Sequence, residues 1–220
     1  MLVEAVRQAL HLREAVHSGL GYPQITTLDI GGGLPWTYRI EEPAPSLDEY
    51  VTALKTCLPN LFSGDLKIIT EFGRSVMAGC GWAASRVEYV KEVDGKRLAV
   101  IHLGADFLLR PVYRPDEWSH QFMVLDPTGA IKIKPLIPQT IVGPLCFGGD
   151  VLAKGLSLPV IEPNDWIIIR DVGAYTLSLW SRHCNRGIPL VLGYSGSATP
   201  KLSVLRPAET PEDVVTFWKG

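Results

Sequence analysis

The run Thr26-Thr27-Leu28-Asp29-Ile30-Gly31-Gly32-Gly33-Leu34-Pro35 decides how the rest of the chain reads. It predicts a short buried strand over 25–30 that stops on three consecutive glycines. Glycine carries no Cβ, so peptide N–H groups at such a strand end can close around an anion such as a phosphate. A tight turn accounts for the same residues, and the glycines alone do not choose between the two. Upstream, Val3, Val6, Leu10, Ala15 and Val16 recur at roughly helical spacing and predict a helix over 3–19, ended by Gly19 or Gly21. Downstream, Pro35, Pro43 and Pro45 make 36–46 a loop. Ser46 with Glu49 three residues on has the form of a capping box and predicts a helix over 47–57. Leu66 to Glu71 predicts a second short buried strand. Helix, strand, helix, strand is a parallel β/α pattern.

Beyond Arg74 the texture changes. β-rich runs at 87–91, 98–103, 121–125, 131–134, 140–142 and 166–170 are separated by turns such as Asp94-Gly95 and Pro127-Thr128-Gly129, and predict an antiparallel sheet. A short helix is expected over 174–180 and a late strand over 201–205. Thr210 caps a final helix, with Pro211 at its first position and Glu212 and Asp213 in its first turn. The expected division is a β/α region over 1–74, an antiparallel β domain over 75–205 and a closing helix over 206–220 that packs on one of them.

Size and composition limit the function classes. The 220 residues, 46% of them hydrophobic, suit one large or two small globular units. A formal net charge of -2 gives no sign of nucleic-acid binding. No apolar run approaches the roughly 20 residues that span a bilayer. The opening Met1-Leu2-Val3-Glu4-Ala5-Val6-Arg7 reads as an amphipathic helix, not a signal peptide. Cys57, Cys80, Cys146 and Cys184 form no CxxC pair and have no metal-ligand spacing. They read as reduced thiols in a cytoplasmic setting, with Cys57, Cys80 and Cys184 as small buried hydrophobes and no metal site.

The stretch Leu28–Pro35 resembles the glycine loop of the barrel-type pyridoxal-phosphate decarboxylases that act on diaminopimelate, ornithine and arginine. Three further blocks follow in that family's order: Glu71-Phe72-Gly73-Arg74, Gly143-Pro144-Leu145-Cys146 and Gly173-Ala174-Tyr175. The resemblance implies that 1–74 is the last part of an eight-stranded (β/α)8 TIM-type barrel and that 75–205 is the β domain after it. The lysine to which the family attaches its cofactor is absent from this chain.

The resemblance also implies roles. Gly31, Gly32, Gly33, Gly73, Arg74 and Tyr175 fall to the pyridoxal 5'-phosphate cofactor. Glu71 keeps the pyridine nitrogen protonated, which makes the ring a better electron sink. The planar fork of Arg74 suits phosphate or carboxylate oxygens. Phe72 stands where the family usually has proline. Arg110, in the block His102–Pro111, matches an arginine that reads a distal carboxylate in the diaminopimelate branch. Tyr113 lies one residue off the spacing of a substrate tyrosine there, and His102 reads as structural. Cys146 is the thiol that protonates the carbanion across a dimer interface, a task that suits thiols in general because a free thiol has a pKa of about 8.5. Phe147 replaces the acid that holds a distal ammonium in diamino-acid members, and Asp150 is the substrate-binding candidate that would hold an amine in its stead.

The implied activity is decarboxylation of an α-amino acid whose distal group is not a simple ammonium, by a homodimer with shared active sites. The alternative is a catalytically inactive homologue that uses the same surfaces to bind or regulate a related decarboxylase. Phe147 and the missing lysine favour that alternative; the retained Gly31–33, Glu71, Arg74, Cys146 and Tyr175 oppose it. A racemase-like enzyme is a third reading, against which the Gly-Pro-x-Cys block argues.

Overall fold

The computed structural model describes residues 2–196 and 199–219. They cluster into two compact units. The first runs to Ala83 and takes in Ser119–Phe122 and Ile168–Ala174; the second holds Ala84–Trp118, Met123–Ile167 and the chain from Tyr175 onward.

In the first unit, α1 (Leu2–Leu20), β1 (Thr27–Asp29), α2 (Leu47–Cys57), β2 (Lys67–Ile69) and the short α3 (Gly73–Met77) follow one another. β1 and β2 are parallel, with Thr27 opposite Lys67, Leu28 opposite Ile68 and Asp29 opposite Ile69. The connection through α2 supplies the crossover that a parallel pair needs. The predicted capping box is present: Ser46 Oγ accepts the Glu49 N–H at 3.2 Å, and the Glu49 carboxylate accepts the Ser46 N–H at 2.7 Å. Val6, Leu34, Tyr50, Leu54, Leu58 and Leu61 form the core, with Leu28, Ile30, Ile68 and Phe72 packed against it. The two strands are half-buried where the sequence predicts buried ones. Side chains alternate along a strand, so only Leu28 and Ile68 reach the core, while Thr27, Asp29, Lys67 and Ile69 are exposed. Phe72 meets Tyr50 edge-on at 5.7 Å, so the residue that departs from the family pattern fills core space.

The first unit extends past Arg74 because later segments bind to it. Arg39 Nε donates to Ser119 Oγ at 2.9 Å, and Tyr38 meets His120 edge-on at 5.4 Å. The Val172 N–H donates to the Gly81 carbonyl at 2.9 Å, and the Gly173 N–H to the Ala78 carbonyl at 3.0 Å. The boundary therefore falls at Ala83.

The second unit holds most of a six-stranded sheet, of which Trp82, Ala83, Phe122 and residues 168–170 are assigned to the first. The sheet's strands are β3 (Trp82–Val93), β4 (Lys96–Ile101), β5 (Phe122–Leu125), β6 (Leu136–Val142), β7 (Val151–Pro159) and β8 (Trp166–Arg170), in the order β5-β8-β3-β4-β6-β7. The β3–β4 hairpin turns on Asp94 and Gly95, both at positive φ, as a two-residue primed turn requires. β6 and β7 are antiparallel, but β4 and β6 are parallel, so the sheet is mixed and not the antiparallel sheet predicted. The stretch 102–135, with α4 (Leu109–Tyr113) and β5, gives the chain the length to return in the same direction. The run 131–134, predicted as a strand, makes a single bridge from Leu125 to Ile131, and Pro135, with no N–H to donate, follows it. Val87, Ala99, Ile101, Leu108, Val124, Ile141, Ile161 and Ile167 are buried here. The buried Gln139 amide donates to the Leu158 and Pro159 carbonyls and accepts the Ile161 N–H, which satisfies it.

Residues 174–180 hold only a 3-10 turn at Leu177–Leu179, because Tyr175 takes a φ of 58° that no right-handed helix accepts. β9 (Val191–Ser195) and β10 (Lys201–Arg206) form a separate antiparallel hairpin. α5 (Pro211–Lys219) is capped by Thr210 and Asp213 in reciprocal bonds of 3.2 and 2.8 Å. Glu209 ties it down, accepting the Arg182 fork at 2.9 and 3.0 Å and the Ile188 N–H at 3.0 Å. Among the described residues, no helix is long and apolar enough to cross a membrane.

Candidate active site

The two parallel strands of the first unit end side by side. The Ile30 N–H donates to the Ile69 carbonyl at 3.0 Å and the Glu71 N–H to the Gly31 carbonyl at 2.9 Å, so the glycine loop and Glu71 leave the strands together. Gly31 and Gly33 have φ of +70° and +89°, in the region glycine adopts without strain. The Gly31 N–H is donated to the Asp29 carboxylate at 2.7 Å, which fixes the start of the loop. A Cβ on Gly32 would lie 2.7 Å from the Glu71 carbonyl oxygen, so only glycine lets the loop lie this close to the second strand. Glu71 is exposed, and the Gly73 N–H folds back onto its carbonyl at 2.8 Å to open α3, in which Arg74 is half-buried.

The glycine of the Gly-Ala-Tyr block reaches the same element. A Cβ on Gly173 would lie 1.8 Å from the Met77 carbonyl oxygen, and one on Gly81 would lie 2.7 Å from Gly173 itself. Backbone therefore packs directly on backbone at the end of α3. Gly31–33, Glu71 to Arg74 and Gly173, far apart in sequence, meet within the first unit.

In the second unit, the loop 143–150 has buried ends and an exposed tip. Leu145 and Asp150 are buried, while Cys146, Phe147, Gly148 and Gly149 are exposed. Phe147 stacks on His183 with ring centroids 5.4 Å apart and planes 16° off parallel. Asp150 lies inside the loop, not on its surface: one carboxylate oxygen accepts the Ala105 N–H at 2.7 Å and the other the Leu145 N–H at 2.8 Å. Close by, Asp106 pairs with Arg186 Nε at 2.9 Å. Burial pushes the Asp106 carboxyl above the usual aspartate range, against the pull of Arg186.

Arg110 leaves the first turn of α4 beside two aromatic rings, its guanidinium carbon 5.0 Å from the Trp118 centroid and 4.8 Å from that of Tyr175. The rings meet edge-on at 5.6 Å. This brings two residues named from the sequence, Arg110 and Tyr175, into contact, and adds Trp118. Both rings lie to one side of the guanidinium, at distances that suit cation–π contact. Tyr113, at the other end of α4, is exposed. His102 is exposed as well and pairs with Glu88 at 3.0 Å. Cys57, Cys80 and Cys184, expected to be buried hydrophobes, are free and exposed, as is Cys146. They sit at helix ends and turns, where little chain covers them. Among the described residues, no group of three or more His, Cys, Asp or Glu side chains is placed to hold a metal ion. Trp118 and His183 carried no sequence signal, since neither belongs to a motif.

Residues 1–78 match the pyridoxal binding domain of pyridoxal-dependent decarboxylases, and residues 50–173 match the C-terminal sheet domain of the same enzymes. The chain belongs to the pyridoxal-dependent decarboxylase family. Diaminopimelate decarboxylase of Helicobacter pylori is 34% identical over 187 residues, which are 84% of this chain and 43% of that protein. The Pseudomonas aeruginosa enzyme of the same name is 33% identical over 165 residues, covering 74% of this chain and 37% of that one. The crystal structure of the Helicobacter pylori enzyme complexed with L-lysine superposes with a TM-score of 0.84 at 30% identity, over 99% of this chain and 50% of that one. A lysine/ornithine decarboxylase from Vibrio vulnificus complexed with cadaverine is similar at TM-score 0.72 and 25% identity, over 84% of this chain and 47% of that chain. The chain thus spans about half the length, or less, of the relatives it matches.

The family's cofactor is pyridoxal phosphate, and the cradle at the ends of β1 and β2 fits it. The glycines keep side chains away from the strand ends, which leaves room for a phosphate, and the exposed Glu71 lies beside them.

Proposed function

We propose that this chain is the carboxyl-terminal part of a pyridoxal-phosphate-dependent amino-acid decarboxylase that works as a homodimer with shared active sites, its β1 and β2 being late strands of a (β/α)8 barrel. The observation that carries the reading is the junction of Gly31–33 with Glu71 at the carboxyl ends of adjacent parallel strands. Gly32 and Gly33, with Gly73 and Arg74, hold the cofactor phosphate. When bound, the cofactor supplies an electron sink for the charge left by departing carbon dioxide. Glu71 keeps a proton on the ring nitrogen. Cys146, exposed at the tip of its loop, returns a proton to the substrate α-carbon of the facing subunit.

The substrate is an amino acid with a carboxylate at its far end. The Helicobacter pylori and Pseudomonas aeruginosa relatives are diaminopimelate decarboxylases, and the distal end of diaminopimelate carries a carboxylate beside its amine. The guanidinium of Arg110, held against Trp118 and Tyr175, suits such a group, and exposed Tyr113 lies on the same helix. Phe147 offers no partner for a lone ammonium. In the enzyme of which this chain is part, release of carbon dioxide from diaminopimelate should exceed that from lysine or ornithine. Arg110→Ala should weaken the acidic-tailed substrate by about 2–5 kcal/mol, seen as a large rise in KM. Phe147→Asp should improve lysine and ornithine. A native preference for ornithine or lysine would contradict the assignment.

A second reading, a non-catalytic partner of a related decarboxylase, is favoured by Phe147 in place of an acid. Absence of carbon dioxide release from every amino acid tested, with cofactor bound, would select it.

A further inference from the structure

The loop that carries Cys146 is fixed from inside by one side chain. Asp150 sends one carboxylate oxygen to the Leu145 N–H within the loop, at 2.8 Å, and the other to the Ala105 N–H of a different loop, at 2.7 Å. Its own backbone closes the loop, since its N–H donates to the Phe147 carbonyl at 3.2 Å and its carbonyl accepts the Gly143 N–H at 2.9 Å. Two glycines make the space for this carboxylate. A Cβ on Gly104 would lie 2.7 Å from one of its oxygens, and a Cβ on Gly143 would lie 2.2 Å from the same oxygen and 2.5 Å from the Gly104 Cα. Asp150 is buried, so the two donors it satisfies have no water to turn to. The segment it grips, Leu103 to Leu108, is buried throughout and leads directly into α4 and Arg110. Asp106 in that segment is tied to Arg186 in turn, and Arg186 also donates to the His102 carbonyl.

We propose that Asp150 is a positioning residue: it sets the place of Cys146 and Phe147 relative to the segment that carries Arg110, and it does not touch substrate. The proposal rests on the reading of Cys146 as the proton-returning group. Its geometry also explains why a buried Asp ends a loop whose tip is exposed. An amide at this position keeps one acceptor but turns an NH2 toward the other N–H, so Asp150→Asn breaks one of the two bonds while leaving the volume unchanged. Gly104→Ala displaces the carboxylate without altering it. Asp150→Glu adds a methylene where Gly104 and Gly143 leave no room, so it should not restore the loop.

The test uses the chain with Cys57, Cys80 and Cys184 changed to serine and a nitroxide spin label on Cys146. A second preparation carries the label on Cys57 alone, with the other three changed. Asp150→Asn and Gly104→Ala should each narrow the Cys146 spectrum, with a correlation time several-fold shorter, and leave the Cys57 spectrum unchanged. In the unmodified chain the Ala105 and Leu145 amides should exchange with solvent more slowly than those of the loop tip, and Asp150→Asn should speed at least one of them by roughly tenfold or more. An unchanged Cys146 spectrum in both variants, or equal narrowing at both label positions, would overturn the proposal. So would Ala105 and Leu145 amides that exchange as fast as the tip in the unmodified chain, a result that needs no variant to fold. None of these readouts involves the cofactor, so failure of the decarboxylase reading and failure of this proposal are separate results.

Discussion

Two loops of this chain close around backbone N–H groups in opposite ways. Gly31–33 is shaped by missing side chains: positive φ at Gly31 and Gly33, and no Cβ at Gly32 to strike the Glu71 carbonyl. Only its first N–H is taken by an internal carboxylate, that of Asp29. The loop 143–150 is shaped by a side chain, with both oxygens of Asp150 spent on buried N–H groups. The first arrangement suits a loop that receives an anion from outside, and the second a loop that carries its anion within. Glycines serve both, at Gly32 to admit a neighbouring strand and at Gly104 and Gly143 to admit a carboxylate. A glycine cluster therefore acquires meaning only from what occupies the space it leaves.

Three stability measurements would break or sharpen this contrast. The largest effect is expected for Asp150→Ala, which strands two buried donors at about 1–3 kcal/mol each. Urea unfolding should register the sum as a clear drop in midpoint, and a loss under about 1 kcal/mol would remove the distinction between the loops. A smaller effect, about 1 kcal/mol, is expected for Ser46→Ala, which removes the α2 cap in the unit of the glycine loop. That loss should leave the ordering of a label on Cys146 untouched.

The smallest effects are pH trends, opposite in the two units. Burial holds the His120 imidazole below its ordinary value, although the Arg170 carbonyl accepts its Nδ1–H at 2.9 Å. The unfolded chain then binds the proton first. Stability should fall as pH drops below about 6.5, and His120→Gln should flatten that fall. Asp106 is raised by burial, so its native form holds the proton longer and its contribution is lost as pH rises through the native value. Asp106→Asn should remove that second trend just above the ordinary aspartate range. Stability curves of the two variants against pH separate the slopes.

Much of the first unit was legible because its signals are local. Ser46 and Glu49 announce α2 by capping chemistry, and a strand ending in three glycines announces itself. The half-burial of β1 and β2 was not legible, since three residues cannot show whether one face or two will be covered. In the second unit, β7 escaped because Gly155 interrupts its run. That glycine sits at φ +63° where the β6–β7 register shifts, so the break in pattern is a bulge inside a continuous strand. The parallel pairing of β4 with β6 depends on how the stretch between them returns, which no local pattern records. Of the candidate site, the motif residues were visible in the sequence. The inward turn of Asp150, the stacking of Arg110 on Trp118 and the His183 face on Phe147 depend on contacts between distant segments, and were not.

The most direct test of the central claim is a titration of this chain with pyridoxal phosphate, followed by absorbance and tryptophan fluorescence, with pyridoxal lacking the phosphate as the comparison. Without the lysine that anchors the cofactor, binding should be weak but saturable, and it should depend on the phosphate. Gly32→Ala, whose Cβ would press on the Glu71 carbonyl at 2.7 Å, should weaken it by roughly tenfold or more while the chain stays folded. Equal affinity for the two ligands, or binding unaffected by Gly32→Ala, would contradict the assignment of the β1 and β2 ends as the phosphate cradle.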